Sequence, residues 1–183
     1  MIGTLSEDRW LRWAVRAAVI VLIFGVGAYL VKGADTTQRP KVETNGATAS
    51  RVSGFQQIAF TVRSAGGVTT KHCALLALTV AQQDQGLMNR TNLAGYNGMI
   101  FRFVEPTTVE FYMKDTVIPL SIAWFDASGH FVSSTDMAPC PTQDNCPLYA
   151  AANAYTDALE VPRGQLGQLG VGTGSVLSVG GAC

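Results

Sequence analysis

Charge is scarce in this chain. Of its 183 residues only 14% are Asp, Glu, Lys or Arg, and 13 basic residues balance 13 acidic ones to a formal net charge of zero. A protein that binds nucleic acid through the phosphate backbone carries a basic excess, so no nucleic-acid partner is expected. Histidine is scarcer still. His72 and His130 are the only two, and neither has a partner at ligand spacing. The spacing Cys140-x5-Cys146 lies outside the short Cys-x2-4-Cys pattern of zinc sites, so no metal is expected. Met88, Met99, Met113 and Met137 are soft thioethers of the kind that suits Cu(I), but they form no Met-x-x-Met cluster and read as core fillers. A glycine-rich phosphate loop and a Gly-x-Ser-x-Gly nucleophile elbow are both missing. Asp115, Asp126 and Asp136 are the only central acids for a carboxylate-pair mechanism, and Asp126 reads as the end of a strand. No cofactor is implied.

What the chain has is a long apolar run. Trp13 to Val31 carries a single charge, Arg16, and is flanked by Trp10, Trp13 and Tyr29. Such a run approaches the roughly 20 residues that cross a bilayer, and aromatics gather at interfaces. Arg9, Arg12 and Arg16 precede it and favour a cytoplasmic N-terminus. The expected organisation is a cytoplasmic N-terminus over 1–12, a transmembrane signal anchor over 13–32, a polar tether over 33–54 and an extracytoplasmic β domain over 55–183. The alternative is a secreted chain, cleaved near Val26-Gly27-Ala28 as a signal peptide. The membrane is thus an expected partner through the N-terminal helix.

Cysteines agree with export. Cys73, Cys140, Cys146 and Cys183 all follow the apolar run, and oxidising compartments keep disulfides. Four cysteines allow three pairings. The polar segment Pro141–Asn145 between Cys140 and Cys146 suits a local bridge, which leaves Cys73 to Cys183.

From Phe55 onward, short apolar runs alternate with turn residues. Expected strands are Phe55–Arg63, His72–Val80, Gly98–Phe103, Val109–Met113, Leu120–Asp126, His130–Ser134, Tyr155–Val161 and Ser175–Val179. Ala127-Ser128-Gly129 is a hairpin loop. Short helical pieces are expected at Ala81–Met88 and Gln165–Leu169. The fold class is all-β with one or two short helices, as a compact sandwich or jelly roll.

Several motifs then fall in a familiar order: Gln85-Gly86-Leu87-Met88-Asn89-Arg90, Gly98-Met99-Ile100-Phe101, Tyr112-Met113-Lys114-Asp115-Thr116, Ile118-Pro119-Leu120, Phe125-Asp126, and Leu159-Glu160-Val161-Pro162-Arg163-Gly164. From about Cys73 to about Val179 the chain resembles the family called domain of unknown function 192, or uncharacterised protein family 0127. The resemblance implies a compact β-rich sandwich, often exported or membrane-anchored, with no established activity. Family members usually carry Asn where this chain has Asp115, and Asp where it has Ser121 and Ser175. The exchange suggests that Asp115 and Ser121 face each other across a turn.

The polar candidates are Lys114, Asp115, Thr116, Arg90 and Ser121. Two roles are open to the first three. Asp and Thr side chains shape turns by bonding nearby backbone. Lys114 with Arg90 could instead hold an anion or carboxylate at a sheet rim, since arginine's fork suits such groups. Arg90 could equally pair with Asp84, Glu105 or Glu110. The expected role is binding, of a small anionic or saccharide ligand or of an envelope protein. The alternatives are an envelope hydrolase or transferase and a structural accessory subunit.

Overall fold

The computed structural model describes residues 54–142 and 145–183. The expected anchor, the cytoplasmic segment and all but the last residue of the tether lie outside the described residues. No helix among the described residues is long and apolar enough to cross a membrane.

Among the described residues there are nine strands: β1 (Gln56–Arg63), β2 (Thr69–Ala77), β3 (Gly98–Thr107), β4 (Phe111–Tyr112), β5 (Leu120–Phe125), β6 (Phe131–Met137), β7 (Leu148–Tyr149), β8 (Tyr155–Pro162) and β9 (Val176–Val179). Seven of them make one sheet in the order β6-β5-β8-β3-β2-β1-β9, and β4 and β7 pair separately. The β-rich class holds, but the expected two-sheet sandwich is replaced by one large sheet that curls until its two ends meet. His130, beside β6, bridges Val176 of β9. Phe131 donates to the Ser175 carbonyl at 3.1 Å and Leu177 to the Gly129 carbonyl at 2.8 Å. Strand twist favours such closure, which removes exposed sheet edges. Gly129 makes it sterically possible: its φ is +78°, and a Cβ there would run into the Leu177 carbonyl oxygen. Asp126 holds the same hairpin by accepting from the Ser128 and His130 amides, each at 2.9 Å.

Most pairs are antiparallel, but β2 and β3 run parallel. Parallel neighbours need a crossover, and here it carries the helix α1 (Val80–Gln85). The helix starts one residue before the expected Ala81–Met88 span and ends three residues sooner. Thr79 and Gln82 form a reciprocal capping box at its start, and Gly86 stops it at φ +45°. A 3₁₀ turn at Gly167–Leu169 falls within the second expected helical piece.

The sheet is apolar on both faces. Phe60, Val62, Leu76, Ile100, Phe125, Leu159 and Leu177 fill the inside of the curl. The outer face of β2, β3, β5 and β8 presents Leu75, Met99, Phe101, Ile122, Trp124 and Ala158 to a covering layer that includes Leu87, Leu93, Phe111 and Met113. Phe101 and Phe111 meet edge-to-face at 5.0 Å, and Phe111 and Trp124 at 6.2 Å. Such aromatic pairs add about 0.5–1.5 kcal/mol beyond burial.

Both disulfides form as expected. Cys140 and Cys146 lie 5.9 Å apart at Cα, and Cys73 and Cys183 lie 5.7 Å apart. The first closes the loop before β7. The second fastens the chain after β9 to β2.

Candidate ligand-binding cavity

Strand β8 is central, with β3 on one side and β5 on the other. Its side chains alternate between the two apolar faces. Leu159 and Val161 enter the curl, so Ala158 and Glu160 turn to the outer face. Glu160 stands opposite Met99 on β3 and Ile122 on β5. It is 4% exposed. Loss of hydration is the sole cause that raises its carboxyl to a pKa of about 8. Neither a hydrogen bond nor an ion pair within the described residues offsets that burial. A carboxyl in this position is largely protonated at neutral pH.

Above Glu160 lies a cavity of about 270 Å³, near the small end of the range for ligand sites, roughly 300–1,000 Å³. The end of α1 with Gly86, Leu87 and Met88 forms one wall. The segment Val109–Tyr112 forms the other, and Phe101, Phe103 and Thr116 complete the lining. Gly86 belongs in this wall because a Cβ there would press on the Phe101 ring at 3.3 Å. Val80, Val109 and Tyr112 are exposed hydrophobics at the cavity. Asp84 and Glu110 add two exposed acids. Among the described residues, no Lys, Arg or His lines it.

The expected site residues do not converge here. Only Thr116 reaches the cavity; it is buried and its hydroxyl donates to the Lys114 carbonyl at 3.2 Å. Lys114 and Asp115 occupy the middle of a turn closed by the Thr116 amide on the Met113 carbonyl at 3.0 Å, with Asp115 at φ +53°. The Asp115 backbone joins Cys140 and Asn89. The stretch thus forms a turn, as one of its two expected roles requires. Ser121 does not use Asp115 as a partner. Its hydroxyl donates to Asp136 Oδ1 at 2.5 Å and accepts from the Gly164 amide at 2.9 Å. Ser121 and Asp136 are direct neighbours across β5 and β6. Ser175 instead closes its own loop, donating to the Gly172 carbonyl at 2.7 Å.

Arg90 pairs with none of the three acids expected for it. Its guanidinium lies over the Phe55 ring at 5.3 Å, and its buried Nε has no hydrogen-bond partner. A second buried orphan, Trp124 Nε1, sits on the outer face. His72 bonds Thr70 Oγ1 at 2.7 Å, and burial lowers its pKa. Arg102 and Asp157 form a two-pronged ion pair at 2.8 and 3.3 Å.

Glu160 escaped assignment of a role in the sequence, although the Leu159–Gly164 motif contains it. The available signal was one carboxylate inside the apolar run Ala158-Leu159-Glu160-Val161. A charge within a strand covered on both faces is costly unless it is paired or protonated.

The order of motifs along this sheet agrees with the comparison to known families. Residues 61–179 match the model of the family DUF192, described as an uncharacterised ACR. The chain belongs to this family. Comparison with curated proteins finds no match. Among solved structures, one from Sinorhizobium meliloti 1021, named as a candidate transcription regulator, is 27% identical with a TM-score of 0.61. It covers 71% of this chain and 98% of its own. A protein of unknown function from Novosphingobium aromaticivorans DSM 12444 is 29% identical with a TM-score of 0.60, covering 77% of this chain and 98% of its own. This DUF192 domain thus shares its fold with proteins whose names carry no ligand.

Proposed function

We propose that this DUF192 domain is a binding module that holds a small molecule in the cavity over Glu160. The observation that carries the reading is the Glu160 carboxyl, 4% exposed and without a hydrogen bond or ion pair among the described residues, on the lining of a cavity that also includes four aromatic residues. A buried polar group without a partner costs about 1–3 kcal/mol, more if charged. Convergence of an apolar pocket and a perturbed acid is the usual mark of a ligand site.

The domain works outside the cytoplasmic membrane, carried by the N-terminal apolar segment. Two disulfides support an oxidising location. The chain's zero net charge argues against extending the transcription-regulator description to it.

A thermal-shift screen of the oxidised full chain against small fragments tests the reading. A fragment at about a hundred times its Kd adds roughly 2.7 kcal/mol. The expected result is a rise in Tm that disappears in Met88→Trp, which fills the cavity. A panel that produces no rise, or a rise that survives Met88→Trp, overturns it.

A further inference from the structure

We propose that the ligand of the Glu160 cavity is a small organic cation, an ammonium on an apolar or aromatic body. This inference rests on the cavity being a ligand site and names the chemistry it selects.

Three independent features point to positive charge. The floor is an acid with no protein cation to neutralise it, and Arg102, the cation on neighbouring β3, is already committed to Asp157. The walls include the aromatic residues Phe101, Phe103, Phe111 and Tyr112, and aromatic rings attract cations. Asp84 from α1 and Glu110 from the segment before β4 add negative charge at the exposed part of the lining. Such a field draws in cations and repels anions. An anionic ligand would meet two exposed carboxylates and find no Lys, Arg or His among the lining residues.

The binding step balances simply. The protonated Glu160 carboxyl releases its proton to solvent, and the incoming ammonium donates hydrogen bonds to the carboxylate that remains. The titratable groups that line the cavity around it are Asp84, Glu110 and Tyr112. Glu160 is the one among them that burial holds protonated, so it supplies the proton. The cation therefore binds more tightly as pH rises toward about 8.

Three probes of similar shape separate the possibilities: phenethylamine, 2-phenylethanol and 3-phenylpropionate. The readout is the methyl NMR signal of Met88, which lines the cavity, in the oxidised full chain. Phenethylamine is expected to shift this signal saturably and to bind at least tenfold tighter than the other two. Glu160→Gln should abolish that preference. Should this variant fail to fold, the exposed pair Asp84→Asn with Glu110→Gln should weaken phenethylamine about two- to fivefold and leave 2-phenylethanol unchanged. Equal binding of all three probes at Met88 overturns the cation inference while leaving the cavity as a ligand site. No shift with phenethylamine overturns the inference as well, and the fragment screen then decides separately whether the cavity binds anything.

Discussion

Gly98 and Glu160 touch through their backbones so closely that a Cβ on Gly98 would overlap the Glu160 carbonyl oxygen. The parallel strand β3 begins at this glycine, beside the strand that carries the buried acid. The same approach also brings Gly98 against the Val161 and Leu159 side chains. The position of the cavity floor is thus tied to the absence of a side chain one strand away.

Gly98→Ala tests that tie. The obstacle is backbone rather than a flexible side-chain tip, so the strands must separate. Overpacking of this kind typically costs 1–3 kcal/mol, and a loss of about 3 kcal/mol is expected here. Urea unfolding of the variant beside the parent chain measures it. A change below about 0.5 kcal/mol, the range of ordinary surface substitutions, would show that the contact is not constraining.

Burial of Glu160 makes stability depend on pH. Its folded pKa, about 8, lies above the ordinary value of 4.5. The folded state therefore holds a proton that the unfolded state has already released. This contribution is fully present below about pH 4.5 and is lost as pH rises through 8. Glu160→Gln removes the dependence. Between pH 4.5 and 9 the Gln variant should gain on the parent by roughly 3–5 kcal/mol, following the 1.36 kcal/mol per pKa unit of linkage. Paired denaturant titrations at several pH values check this, and parallel pH profiles would contradict it.

The two disulfides should contribute unequally. Cys73–Cys183 spans 110 residues of chain, whereas Cys140–Cys146 spans 6. In the chain-entropy account, closing the long loop is worth about 5 kcal/mol and the short one about 2 kcal/mol. Cys73→Ser with Cys183→Ser should therefore lower the Tm well beyond Cys140→Ser with Cys146→Ser. Equal losses would place the stabilisation in local packing instead.

Strand positions were legible in the sequence because the domain obeys period-two patterning and strong turn chemistry. Leu120–Phe125, Tyr155–Pro162 and the Asp126–Gly129 hairpin fall where apolar runs and Gly/Asp punctuation put them. Global closure was not legible. It depends on a single non-local bridge between His130 and Val176, and neither residue advertises a partner 46 positions away by its type. Short β7 was missed for a related reason: two residues paired with Phe111 and Tyr112 leave no periodic signal.

The site was harder to read than the fold. Lys114, Asp115 and Arg90 stood out because they are polar amid apolar runs, yet none of them lines the cavity. The first two shape a turn, and Arg90 stacks on Phe55. Glu160 was given no role, since period-two alternation gives only the face. Whether that face is wet depends on the covering layer from α1 and Val109–Tyr112, which pairing along the chain does not reveal.

The central claim is that Glu160 stays protonated at neutral pH because it is buried at the floor of this cavity. A carbon-13 NMR titration of the Glu160 carboxyl carbon in the ligand-free chain, assigned by comparison with Glu160→Gln, tests it most directly. The account predicts a midpoint near 8. A midpoint near 4.5, the ordinary value, would contradict it and would mean that water or a protein group already satisfies the carboxylate.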